Sequence, residues 1–128
     1  MPRRVHHIDL PVRSVTHTEE FYREVFGWLP RARLYKTSLG WTDSRTGAFY
    51  GELLEYVLED GSYITFITTK TPDYSEDEPH LALLLTVKEL DMVRTNLKRL
   101  GIEYEENSEN ISFYDPSLLR VELYTDAP

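Results

Sequence analysis

Apolar and polar positions alternate from Val5 to Val12 as in a half-buried strand. Ile8, Leu10 and Val12 fall on one face, and Val5, His7 and Asp9 on the other. A helix is expected next. Phe21, Tyr22, Val25 and Phe26 form an apolar stripe, Thr16 and Glu19 fit a capping box, and Gly27 sits where a C-terminal cap glycine belongs. The same order then returns. His80 to Leu85 (HLALLL) reads as a short, wholly apolar buried strand. Thr86 and Glu89 make a second capping box, Leu90, Val93, Leu97 and Leu100 recur at helical spacing, and Gly101 closes the helix. His7 precedes Gly27 by 20 positions and His80 precedes Gly101 by 21, so the chain reads as an internal duplication.

Each helix is followed by strand-like segments. After Gly27 these are Trp28–Lys36, Ala48–Leu58 and Ser62–Thr69, the last two joined by Glu59-Asp60-Gly61. After Gly101 they are Ile102–Glu106, Asn110–Tyr114 and Leu119–Tyr124, the last two joined by Asp115-Pro116-Ser117. Asp-Gly and Asp-Pro are turn formers for known backbone reasons. Leu53, Leu54, Val57 and Leu58 also suit a helical period; the segment is read as a strand. The predicted fold class is α+β, with two βαβββ modules. A single domain is expected over 1–128: module one over about 1–70, a polar, proline-bearing linker over 71–79, and module two over about 80–128.

Composition narrows the picture. The absence of cysteine excludes disulfides, thiolate metal sites and cysteine nucleophiles. No apolar run approaches a membrane span, and the start MPRRVHHIDLPV does not read as a signal peptide, so the expected location is cytoplasmic. Net charge is −8 and uneven: residues 1–45 hold eight Lys/Arg against five Asp/Glu, residues 46–128 six against seventeen. Nucleic acid and anionic membranes are therefore not expected as partners. Arg31, Arg33 and Tyr35 would share a face of an extended segment, where they either greet a small anion or decorate an exposed strand.

Four segments, HHIDLPV, EEFYREVFGW, HLALLLTVKELDMVRTNLKRLGI and SFYDPSLLRVELY, occur in an order and at spacings that resemble the vicinal oxygen chelate superfamily. That superfamily is also called the glyoxalase/bleomycin-resistance/dioxygenase superfamily, and the likeness spans nearly the whole chain. The resemblance implies that the two modules form an open barrel-like mixed sheet. It implies a cleft whose metal ligands come from the first and last strands of the modules. By it, His7, His80 and Glu122 match the ligand positions, with Ala82 as the alternative to His80 in a shorter register. Phe66 falls at a fourth position and cannot bind a metal. Two imidazoles and one carboxylate suit one divalent ion of Fe, Mn, Zn or Ni and leave open positions for substrate. Glu122 and Asp9 are then the candidate catalytic groups, and Arg120, Tyr124 and Phe66 the candidate substrate-binding residues. Trp41, Phe49, Tyr50 and Tyr63 are further candidates for lining a pocket.

Two functions follow. One is a metal-dependent enzyme of the glyoxalase or dioxygenase type, a lyase, isomerase or oxidoreductase acting on a small molecule with neighbouring oxygens. The three-ligand set leans toward the dioxygenase or resistance-type thiol transferase pattern. Asp9 stands where fosfomycin-resistance transferases carry a hydroxyl residue, which argues against that activity. The other is a metal-free small-molecule binder of the bleomycin-resistance type, for which the acidic balance suits a cationic ligand. The resemblance further implies a homodimer.

Overall fold

Strand and helix periods decide the element order, which the computed structural model describes for residues 1–45, 47–74 and 80–126. The elements are β1 (His7–Pro11), α1 (Val15–Phe26), β2 (Ala32–Thr37), β3 (Gly40–Thr42), β4 (Glu52–Val57), β5 (Tyr63–Ile67), β6 (His80–Leu85), α2 (Val87–Leu100), β7 (Glu105–Glu106), β8 (Ile111–Tyr114) and β9 (Arg120–Thr125). They form two helices and two mixed sheets. The first sheet has the order β1-β5-β4-β2-β3 and the second β6-β9-β8-β7. In each, the first strand pairs in parallel with the last, and the other pairings are antiparallel. Residues 75–79 of the expected linker lie outside the described residues.

The chain divides into two units, 1–19 with 28–73, and 20–27 with 74–128. In the first, Leu10 of β1, Val12 just beyond it, and Leu54, Tyr56, Ile64 and Phe66 from alternate positions of β4 and β5 are buried. In the second, Val121 and Leu123 of β9 and Ile111 and Phe113 of β8 are buried with Leu81, Leu83 and Leu85 of β6. Val93 and Leu97 of α2 are fully enclosed. Tyr22 and Val25 from the C-terminal half of α1 belong to this unit, where the rings of Phe21 and Phe26 stand 6.0 and 6.1 Å from that of Phe113. Among the described residues no helix is long and apolar enough to cross a membrane.

Several expectations change in detail. Helix α2 carries the predicted reciprocal capping box between Thr86 and Glu89, and Gly101 adopts the left-handed conformation with φ 69°. Helix α1 is not capped by Thr16. Ser14 takes that role, its hydroxyl accepting from the His17 amide at 3.2 Å. Thr16 and Glu19 instead face Arg33, with Nη2 3.0 Å from the Thr16 hydroxyl and Nη1 3.8 Å from the Glu19 carboxylate. Strand β2 begins only at Ala32, past Pro30, which has no N–H for the ladder. Residues 48–51 are not in a strand, and the short hairpin strand β3 was not foreseen. Strand β6 alternates rather than being wholly buried: Leu84 is 62% exposed between the buried Leu83 and Leu85.

The last turn shows how local geometry is held. The Asp115 carboxylate accepts from the backbone amides of Ser117 at 2.8 Å and Leu119 at 3.0 Å, and from the Tyr22 hydroxyl at 3.0 Å. Burial pushes the Asp115 carboxyl pKa up, and these three donors only partly offset it. Asp115 therefore contributes most stability when protonated, below the ordinary carboxylate range, and that contribution is lost as pH rises through its raised pKa. Asp115→Asn should remove this loss, so the variant gains stability relative to the parent between about pH 4 and pH 7. Urea unfolding at the two pH values measures it. Leu118 has φ 68°, a conformation unfavourable for any residue with a Cβ, and its side chain is 54% exposed. Leu118→Gly should raise stability by about 0.5–1 kcal/mol, read as a higher urea midpoint at unchanged slope.

Candidate functional site

Alternation puts a polar set on the face of the second sheet opposite its core. In β9, Val121 and Leu123 are fully buried, so Arg120, Glu122 and Tyr124 project the other way. The parallel ladder sets His80 beside Arg120 and Ala82 beside Glu122. Ser112 of β8 lies beside Glu122 on the other flank, and Glu105 of β7 beside Ser112.

Glu122 is the centre of this set. Its side chain is 13% exposed. Oε2 accepts from Arg120 Nε at 2.9 Å and Oε1 from the Tyr124 hydroxyl at 3.0 Å. That hydroxyl in turn accepts from Asn110 Nδ2 at 3.0 Å. The Arg120 bond, with the Tyr124 hydroxyl and the neighbouring His80, holds the carboxyl pKa below the ordinary glutamate range against the opposing effect of burial. His80 Nε2 stands 3.5 Å from Glu122 Oε1.

The first sheet carries a second histidine–carboxylate pair. His7 Nε2 lies 3.7 Å from Asp9 Oδ1 on one face of β1. His7 Nδ1 is 2.9 Å from Nδ1 of His6, so one ring donates and the other accepts. Thr65, beside Asp9 in β5, donates its hydroxyl to the Asp9 carboxylate.

The ladders settle which positions of the two halves correspond. Tyr63 closes its hairpin against Val57 as Arg120 closes its own against Tyr114. His7 pairs with Tyr63 and His80 with Arg120, so His80 is the counterpart of His7, and Ala82 that of Asp9. Thr65 is therefore the counterpart of Glu122. This corrects the placement of Phe66, which is fully buried on the opposite face with Leu10 and Leu54. An alignment displaced by one residue puts a core position on the site face. Sequence reasoning missed Thr65, Asn110 and Ser112; the alternation of Ile111-Ser112-Phe113 was the signal available for Ser112.

Other candidates are engaged elsewhere. Arg31 pairs with Glu55 and Arg33 with Glu52, which offsets the charge an anion would seek there. Trp41 is 37% and Tyr50 66% exposed. His7 and Asp9 belong to the first unit, and His80, Arg120, Glu122 and Tyr124 to the second. Among the described residues, no three His, Cys, Asp or Glu side chains gather as a group suited to holding one ion.

Comparison with known proteins places this geometry in a family. The model of the Glyoxalase/Bleomycin resistance protein/Dioxygenase superfamily matches residues 4–123, and the chain belongs to that superfamily. No curated protein matches the chain. Among solved structures, a glyoxylase/bleomycin resistance protein/dioxygenase domain from Frankia sp. EAN1pec is 18% identical, with a TM-score of 0.72 over 98% of both chains. The fosfomycin resistance protein FosX from Listeria monocytogenes, complexed with Mn(II) and sulfate ion, is 20% identical, with a TM-score of 0.70 over 99% of this chain and 95% of its own. The oxidase ChaP-H2 is 14% identical, with a TM-score of 0.71 over 99% and 96%. At these identities the likeness establishes the fold. Membership supports a small-molecule enzyme or binding role.

Removing the strongest partner of Glu122 should be visible in its titration. Arg120→Gln is expected to raise the Glu122 pKa toward the ordinary range, followed by carbon-13 NMR of the side-chain carboxyl. Since a depressed carboxyl pKa contributes stability that is lost as pH falls through it, the variant should also lose less stability on acidification than the parent.

Proposed function

We propose that the chain is a divalent-metal-dependent enzyme acting on a small oxygenated molecule, with His7, His80 and Glu122 as the protein ligands of one ion. The observation that carries this reading is the spacing of His80 Nε2 and Glu122 Oε1, 3.5 Å. Two ligands about 2.1 Å from one tetrahedral ion stand about 3.4 Å apart, so the pair already has the separation that a shared ion requires. The donor set fits as well. Glu122 is held ionised, as a ligand must be, and His80 directs a ring nitrogen at it. A related fold, that of the Listeria FosX, has been solved with Mn(II).

When bound, the ion supplies Lewis acidity to two neighbouring oxygens of a substrate. The protein's own groups do the rest. Arg120 and Tyr124 orient Glu122 and, beside it, are the residues that contact the substrate. Asp9, whose carboxylate accepts from the Thr65 hydroxyl, takes the role of moving a proton, and the reaction is of the lyase, isomerase or dioxygenase kind. The functional form is a homodimer.

One observation favours a second reading, a metal-free binder: Arg120 already compensates the charge of Glu122 at 2.9 Å. Elemental analysis of untagged protein, purified without chelator and reloaded with Mn, Fe, Zn or Ni, separates the two. About one equivalent of tightly held metal is expected, lost in His7→Ala and Glu122→Ala while the fold, followed by circular dichroism, persists. Parent protein that retains no metal from any of the four would overturn the metal reading and leave the binder.

A further inference from the structure

A cavity of about 480 Å³ opens on the face of the second sheet that carries Glu122, lined in part by Glu103, Tyr104, Glu105, Ser112, Tyr114 and Arg120. We propose that this cavity binds a small organic cation, an amine, amidine or guanidine attached to a flat apolar body. The proposal deepens the reading above by giving its site a substrate class.

Three features carry it. Ser112 is 96% enclosed, yet its hydroxyl makes no hydrogen bond among the described residues, and it lines the cavity. That hydroxyl is open to the cavity, where it can accept from a docked ligand. Ser112 stands in register between Glu105 and Glu122, so its side chain and theirs share a face. Next, the Glu103 and Glu105 carboxylates line the same cavity and have no ion pair among the described residues. By contrast Glu106, their neighbour, is bound by Arg94 at 2.7 Å. Finally, Tyr104 and Tyr114 add two aromatic rings, whose faces attract cations as well as flat apolar groups.

The charges decide the sign of the ligand. Arg120 is the one cation lining the cavity among the described residues, and its charge is offset by Glu122. The two free carboxylates remain, with a hydroxyl able to accept, so the cavity presents acceptors and negative charge. A ligand rich in N–H donors satisfies all three at once, whereas an anion meets two like charges.

The test uses the full chain treated with chelator, so that it is independent of any metal. Benzamidinium and benzoate share a ring and a size and differ in the sign of charge. In amide and tyrosine-ring NMR titrations, benzamidinium should give saturable shifts at Tyr104, Ser112 and Tyr114. Benzoate should give none. In Glu103→Gln/Glu105→Gln, both positions being exposed, benzamidinium should bind at least fivefold more weakly, while the metal content of separate samples purified without chelator matches that of the parent. Equal or tighter binding of benzoate, undiminished binding of benzamidinium to the double variant, or no saturable shift with either probe would overturn the proposal. A loss of metal in His7→Ala and Glu122→Ala with none of these shifts would leave the metal reading standing without it.

Discussion

A carboxylate set in the middle of an apolar strand stays charged only if the protein supplies what water no longer does. Glu122 sits between two fully buried residues, Val121 and Leu123, and each of its oxygens accepts a bond from its own strand, from Arg120 and from Tyr124. Because those partners are at i−2 and i+2, the pleat that turns Glu122 away from the core turns them the same way. Compensation is thus built into three alternate residues of one strand. Asn110 extends it by fixing the Tyr124 hydroxyl. Everything else on that face, including the approach of His80, is arranged around a charge that is already satisfied.

The two halves repeat an arrangement while varying its content. Each unit sets one imidazole beside one carboxylate, at 3.7 Å for His7–Asp9 and 3.5 Å for His80–Glu122. In the first unit the carboxylate rides on the first strand, in the second on the last, and the vacated positions are Ala82 and Thr65. The hairpin turns diverge similarly. Asp60 accepts from the amide and hydroxyl of Ser62 at an exposed turn with Gly61 at φ 85°. Asp115 bonds backbone amides of Ser117 and Leu119 from inside the protein, and the left-handed position falls to a leucine.

The element order apart from β3, both cap glycines and the Thr86–Glu89 box were legible because they rest on local periodicity and capping chemistry. Ser14 was overlooked because Thr16 and Glu19 fit the same local rule, and only Arg33, a residue of another element, tells the two apart. The wholly apolar look of β6 hid an alternation that depends on which face of the sheet is covered, a tertiary fact. Phe66 shows the sharpest limit. The hairpin that contains it was recognisable, but a strand's faces exchange with each single step of register, and no local signal fixed that step. The site face itself was readable wherever buried neighbours bracket a polar residue, as Val121 and Leu123 do for Glu122. The ring of polar residues around the 480 Å³ cavity was not, since it joins the segment after α2 to β8 and β9.

The Tyr22 hydroxyl reaches Asp115 across 93 residues of chain, and residues 20–27 complete the unit whose sheet is made by the C-terminal half. During synthesis at about 5–20 residues per second, those eight residues therefore wait about 5–20 s for their partners to emerge. Severing the chain after Asp73 would strand them on the wrong fragment, so the two sequence repeats are not two separable folding modules. The boundary between the two structural units falls inside the first helix rather than between the two sequence repeats.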